Sequence, residues 1–201
     1  MTSRIACGAF VGVSMLASAA TAGVTVTNSQ SLWSYRVTSG GQTVGTETFN
    51  TYSGFDAGPI TGTLGNTFWT VSAPGGLFAD VGMMSTNLAY STLSFTFSPG
   101  VRAVAGNIFG TDIGFNIVPT IVNVTLSDGT AYEGFTTSAS DFIGFYSTTA
   151  NISSLSISVA SPTGTGDIFS SINNLYLAVP APGAAALIGM AGLASRRRRT
   201  A

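Results

Sequence analysis

The feature that most constrains this chain is an apolar period of two, which recurs along most of its length. Val24 and Val26 alternate with Thr25 and Thr27, and Trp33, Tyr35 and Val37 alternate with Ser34, Arg36 and Thr38. Leu93, Phe95 and Phe97 alternate with Ser94 and Thr96. The pattern returns at Val122, Val124 and Leu126, at Leu155, Ile157 and Val159, and at Leu175, Leu177 and Val179. Successive side chains of a strand point to opposite faces, so each run puts one face in a core and the other in water. Threonine suits the wet face because its branched carbon fits the pleat. No part of the body has a convincing 3.6-residue period, so no amphipathic helix is expected there.

Turn signals fall between these runs. Gly40-Gly41 follows the Trp33 run, Pro99-Gly100 follows Phe97, and Ser127-Asp128-Gly129-Thr130 follows Leu126. Asp-Gly is a strong two-residue hairpin signal. The segment from Glu47 to about Gly65 is polar and glycine-bearing, and reads as an irregular connection with at most one short strand. Many short strands with glycine-rich turns argue for an antiparallel β-sandwich or barrel, and the expectation is an all-β fold, a single antiparallel β-sandwich over residues 23–178. No fixed-period repeat argues for a solenoid. The thirteen phenylalanines, nearly all in the body, supply much of the core.

Composition narrows the chemistry. The chain has no lysine, no histidine and one cysteine, Cys7. Ser-His-Asp and Cys-His catalysis, Schiff bases, and zinc held by histidine or cysteine are thereby excluded from the body. No glycine-rich phosphate loop is present. A carboxylate pair is the remaining hydrolytic route, but nothing in the spacing joins Glu47 and Glu133, the two glutamates. The expectation is therefore no enzyme. All eight acids lie in the middle with two arginines, Arg36 and Arg102, while five arginines stand at the ends. An acidic middle does not suit phosphate backbones, so nucleic acid is not a partner. Asp112, Asp167 and Asn173 are weak candidates for a calcium ion, since no Asp-x-Asp-x-Asp loop occurs and such residues often just form turns. Trp69 and Tyr132 are candidates for stacking on a sugar. Trp69 adjoins Phe68, so in a strand the two face opposite ways and one of them is expected outside unless both faces are buried, and Tyr132 follows the Asp128-Gly129 hairpin. Trp33, in phase with Tyr35 and Val37, reads as core.

The two ends read as addresses. Residues 1–22 have a positive start at Arg4, an apolar run from Ile5 to Leu16 and the small-x-small pattern Ala20-Thr21-Ala22, which predicts a cleaved secretory leader, helical before processing. Residues 179–201 hold Val179-Pro180-Ala181-Pro182-Gly183, an apolar run from Ala184 to Ala194, and Arg196, Arg197, Arg198 and Arg199. That run is shorter than the roughly 20 residues of a full membrane span, and the arginines favour the cytoplasmic side.

This tail resembles the PEP-CTERM sorting signal, in which a Pro-Glu-Pro-like motif precedes a short hydrophobic helix and an arginine cluster. Pro180 and Pro182 match the two prolines, and Ala181 replaces the central acid. The resemblance implies an exosortase-type membrane protease as partner, transient anchoring in the inner membrane, and delivery to the cell surface or extracellular matrix. It also implies association with exopolysaccharide and biofilm. The body resembles the jelly-roll sandwich often found ahead of such tails. It shares Glu47-Thr48-Phe49, Phe95-Thr96-Phe97, Val122 to Gly129, Phe142-Ile143-Gly144-Phe145, Leu155-Ser156-Ile157 and Asn173-Asn174-Leu175. The expected function is an exported, non-enzymatic structural or adhesive protein. The alternatives are a lectin-like carbohydrate-binding module and a carboxylate-dependent glycoside-active enzyme.

Overall fold

A computed structural model describes residues 23–80, 82–164 and 166–180. The expected leader over 1–22 and the tail from Ala181 onward, with Pro182, Gly183 and the four arginines, lie outside the described residues. The chain begins with β1 (Val24–Thr27) and a helix, α1 (Gln30–Ser39). It continues with β2 (Gln42–Glu47), β3 (Gly54–Asp56), β4 (Ile60–Leu64), β5 (Thr67–Ser72), β6 (Leu77–Asp80), β7 (Met83–Thr86) and β8 (Leu93–Phe97). Then come β9 (Ala103–Thr111), β10 (Ile117–Val118), β11 (Thr120–Leu126), β12 (Ala131–Thr136), β13 (Phe142–Ser147), β14 (Ser154–Ala160) and β15 (Phe169–Pro180).

The strands form two antiparallel sheets. Sheet A runs β1-β13-β9-β15-β7-β6-β3, with β10 beside β9 and β2 beside the second half of β15. Sheet B runs β12-β11-β14-β8-β5-β4. One apolar core joins them: Trp69, Phe95, Val124 and Leu155 of sheet B share a cluster with Leu77, Met84, Ile108, Phe145 and Leu175 of sheet A. The fold is therefore the two-sheet sandwich that the alternation predicts. The runs at Leu93, Val122, Leu155 and Leu175 are β8, β11, β14 and part of β15, with their apolar members inward.

The Trp33 run departs from expectation. It is the helix α1, not a strand. Trp33 and Val37 are fully buried, whereas Tyr35, two residues from each, is 68% exposed. A spacing of four satisfies both periods, so the pair alone does not choose between them. The local caps favour helix: the Ser29 hydroxyl accepts from Leu32 N at 3.3 Å, and Gly40 N donates to Arg36 O at 3.1 Å. Gly41 then takes φ +74°, a conformation that glycine adopts without strain. The tertiary reason is a shallow hollow on the outer face of sheet A. Ala103, Ala105 and Ala178 are small there, and the Trp33 indole lies over Gly144. Its Nε1–H donates to Phe145 O at 2.9 Å, so burial leaves no orphan donor.

The segment from Glu47 to Gly65 also has more order than expected. It contains β3 and β4, and β4 pairs with β5 from Ile60–Val71 to Leu64–Thr67. Glycine and threonine obscure β4 in the sequence because its inward residue at the centre is merely Gly62, which the Trp69 ring covers. The Asp128-Gly129 signal does close a hairpin, but with one residue more than expected. Leu126 N bonds to Thr130 O, leaving Ser127, Asp128 and Gly129 in the loop, with Gly129 at φ +85°. At the end of the body, β15 continues through Val179 and Pro180, opposite Thr43 and Gln42. The first two residues of the expected tail motif thus belong to the sheet. A bulge at Asn173 shifts the register of β15 against β9.

Burial pushes the hydroxyls of Tyr176 and Tyr52 above the ordinary tyrosine range, and the nearby Glu47 adds to the effect at Tyr52. The neutral forms are favoured in the folded state, so this contribution is complete below pH ~10 and is lost as pH rises through the folded values. Residues 23–180 contain no histidine, lysine or cysteine to titrate between about pH 6 and 9. The melting temperature is expected to be flat across that window and to fall above about pH 10. A step near pH 6.5–8.5 in a series of thermal melts would contradict this.

Candidate ligand-binding groove

The outer face of sheet A has two halves. Helix α1 covers one of them. The other is open, and holds a groove of about 260 Å³ lined by Phe78, Phe115 and Phe169, with Asn87, Thr111 and Asp112 among its polar members. Its floor follows from register. Ser85 and Thr111 line it on the sheet side. Ser85, Ser171 and Phe109 lie opposite one another on β7, β15 and β9, on the face away from Met84, Ile172 and Ile108, and Ser171 and Phe109 are buried beneath the groove rather than lining it. The floor hydroxyls satisfy each other: Thr111 and Ser171 at 2.9 Å, and Ser171 and Ser85 at 2.9 Å.

The wall is built by the loop from Asp112 to Asn116, between β9 and β10. The Asp112 Oδ1 accepts from Gly114 N at 2.8 Å and Asn116 N at 2.9 Å, and Oδ2 accepts from Asn116 Nδ2 at 3.0 Å. Asp112 N donates to Asn116 O at 2.9 Å, which closes the loop at its base. The Asn116 side chain, then the backbone amides, hold the Asp112 carboxyl below its ordinary range. This clasp holds Phe115 at φ +61°. A bulky side chain in the left-handed region costs on the order of 1–2 kcal/mol, and persists where surroundings over-determine it. The strained residue sets its ring against Phe78, with centroids 5.4 Å apart. Phe78 in turn lies opposite Phe55, which is 56% exposed, so aromatic surface continues toward the sheet edge.

The residues singled out from the sequence fall in different places. Trp69 does not meet solvent. It is 1% exposed, packed edge-on against Phe49 with centroids 5.7 Å apart, and cannot stack on a ligand. Phe68, its neighbour, is the outward one at 62%. The reason is phase: Trp69 and Val71 share the inward parity of β5. Tyr132 is half-buried on β12, beside the core, and its hydroxyl accepts from Asn28 Nδ2 at 3.0 Å. It lines a small polar pocket with Thr136 and Asp141, away from the groove. Asp112 and Asp167 both line a depression beside the groove, but Asn173 is on the β15 bulge, where its amide donates to Ala139 O. The three calcium candidates are thus not brought together, and the Asp112 carboxylate is used by its own loop. Among the described residues no three acidic, histidine or cysteine side chains cluster in a metal-binding group. Glu47 is on sheet A and Glu133 on sheet B. Phe78, Phe115 and Phe169 are not legible as site residues in the sequence, because only the conformation of the Asp112 loop turns Phe115 onto the sheet.

No family model matches the chain, and no curated protein matches it. Among solved structures the chain is similar to a point mutant of a family 29 carbohydrate-binding module, at 9% sequence identity and a TM-score of 0.32. The overlap covers 68% of this chain and 91% of that one. At that level neither fold nor ligand transfers, and the two-sheet architecture stands on the chain's own strand pairing.

Proposed function

We propose that residues 23–180 are a non-catalytic carbohydrate-binding sandwich carried by an exported protein, and that its ligand is a neutral polysaccharide. The observation that carries this is Phe115, held in a strained conformation so that its ring forms a groove with Phe78. Aromatic faces offer a surface for the C–H face of a sugar ring, while nearby polar groups meet its hydroxyls. The groove is smaller than the ~300–1,000 Å³ of drug-sized sites, which fits one ring of a longer chain rather than a whole cofactor. Its lining includes one carboxylate and no cation, and the body carries eight acids against two arginines. An anionic polymer would be repelled.

The leader over 1–22, the jelly-roll kinship and the sorting tail belong to the same proposal, on the strength of their sequence patterns. In this reading an exosortase-type protease releases the sandwich to the surface or matrix, where it holds exopolysaccharide. Because Val179 and Pro180 are part of β15, release at or beyond Pro182 leaves the sheet complete. Phe115→Ala is expected to weaken binding to a neutral polysaccharide at least tenfold without unfolding the sandwich. Asp112→Ala is expected to act in the same direction through the loop. Affinity electrophoresis across a panel of neutral and acidic polysaccharides reads both. Absence of retardation by every neutral polymer, or equal retardation of the wild type and Phe115→Ala, would sink the proposal.

A further inference from the structure

The outer face of sheet B is unusual in what its side chains do not do. Register places Thr61, Thr70, Thr96 and Ser154 in one row across β4, β5, β8 and β14. A second row, two residues away on the shared strands, holds Ser72, Ser94, Ser156 and Thr125, across β5, β8, β14 and β11. All eight are half-buried or exposed. None of their hydroxyls makes a hydrogen bond to another described residue, whereas the hydroxyls of Thr111, Ser171 and Ser85 on sheet A bond to one another. Of the ten charged side chains in residues 23–180, only Glu133, on the edge strand β12, shares this face. Phe68 at 62% and Phe135 at 59% exposure stand at its opposite ends.

We infer that this face is a second polysaccharide-binding surface, which takes a neutral chain laid across the strands. The inference rests on the carbohydrate reading above but uses a different sheet from the groove. Adjacent strands are about 4.8 Å apart, close to the length of one pyranose unit, so a chain crossing them meets one hydroxyl per sugar. Four strands lie about 14 Å apart from first to last, three spacings, and so take four units at one unit per strand. Sheet B twists, and the soft torsions of a glycosidic chain follow a twist that a rigid crystal plane would not. A neutral, hydroxyl-covered polymer is the complement of a face with unspent donors and acceptors and almost no charge. A charged polymer gains nothing there, and a protein partner finds no apolar centre.

The test uses residues 23–180 with neutral glucan oligosaccharides of two to six units, titrated by calorimetry and by amide chemical shifts. Affinity of the wild type is expected to rise at least tenfold between two and four units and then level, with shifts at Thr96 and Ser156 for the longer chains. Thr96→Glu with Ser156→Glu places two charges at the centre of the rows and is expected to abolish the rise. Thr96→Ala with Ser94→Ala removes hydroxyls without adding charge, and is expected to reduce it if the charged variant does not fold. Phe115→Ala is expected to weaken the binding of the shortest oligomers and to leave the rise with length intact. Binding that does not depend on length, or a rise that survives both face variants, overturns the second surface while leaving the groove. Binding lost entirely in Phe115→Ala also overturns it. If no glucan binds the wild type, the same titration is run with oligomers of whichever neutral polymer retards the protein in affinity electrophoresis; if none does, the carbohydrate reading fails and takes this surface with it.

Discussion

Replacing Trp33 with alanine is expected to cost about 3–5 kcal/mol of folding stability, a large part of the roughly 5–15 kcal/mol typical of a domain. Trp33 is the largest side chain between α1 and sheet A, and it is fully buried. It contacts Phe142 with ring centroids 6.0 Å apart and Tyr176 at 6.3 Å. Alanine would leave a cavity over Gly144 that the flat alanine floor at Ala103 and Ala105 cannot refill. It would also strip the Phe145 carbonyl of its indole donor. Trp33→Phe keeps most of the packing and loses that hydrogen bond, so its cost is expected to be nearer 1–2 kcal/mol. Urea unfolding followed by circular dichroism reads both. A Trp33→Ala loss below about 1 kcal/mol would show that α1 is an appendage rather than part of the fold.

Replacing Gly62 with valine is expected to destabilise the sandwich by about 1–3 kcal/mol, although local propensity points the other way. Valine is a better strand former than glycine by up to about 1 kcal/mol. But Gly62 faces inward opposite Trp69, and a Cβ there would come within 2.3 Å of the indole Cζ2 and 2.5 Å of Cε2. The ring has no polar tether to resist displacement, since its buried Nε1 has no hydrogen-bond partner. Displacing it disturbs Phe49, Tyr52 and Phe95, which all pack on it. Loss of near-ultraviolet circular dichroism is the expected sign that this aromatic cluster has lost its fixed packing. A variant as stable as the wild type, with its aromatic spectrum intact, would mean that the core repacks freely around the new side chain.

These two positions also mark the limits of what the residues reveal in order along the chain. The inward runs of β8, β11, β14 and β15 are legible because each alternates cleanly and because one buried face forces that register. α1 reads as a strand because Trp33 and Val37 satisfy both periods, and Tyr35 between them is apolar yet exposed. β4 is hidden because its central inward residue is a glycine, whose place is filled by a ring from the neighbouring strand. Trp69 and Phe68 are opposed, as their adjacency implies, but parity alone does not say which face is dry. Asp112 stands out for its oxygen atoms, and its role is to clasp a loop. The groove is invisible in the sequence because Phe78, Phe115 and Phe169 come from three separate segments and meet only when sheet A forms.

What the residues determine by themselves is local and chemical. Alternation makes strands, glycine and Asp-Gly make turns, and a body without histidine, lysine or cysteine lacks most catalytic chemistry. What tertiary structure alone decides is which face of each strand is covered. The core takes Trp69, α1 takes one half of the outer face of sheet A, and the other half stays open beside Phe115. Period-two patterns are symmetric between the two faces of a sheet, so burial is settled by what packs on each face and not by the strand itself. The hydroxyl rows of sheet B follow the same logic: serine and threonine mark the wet side, and only strand pairing aligns them into a surface.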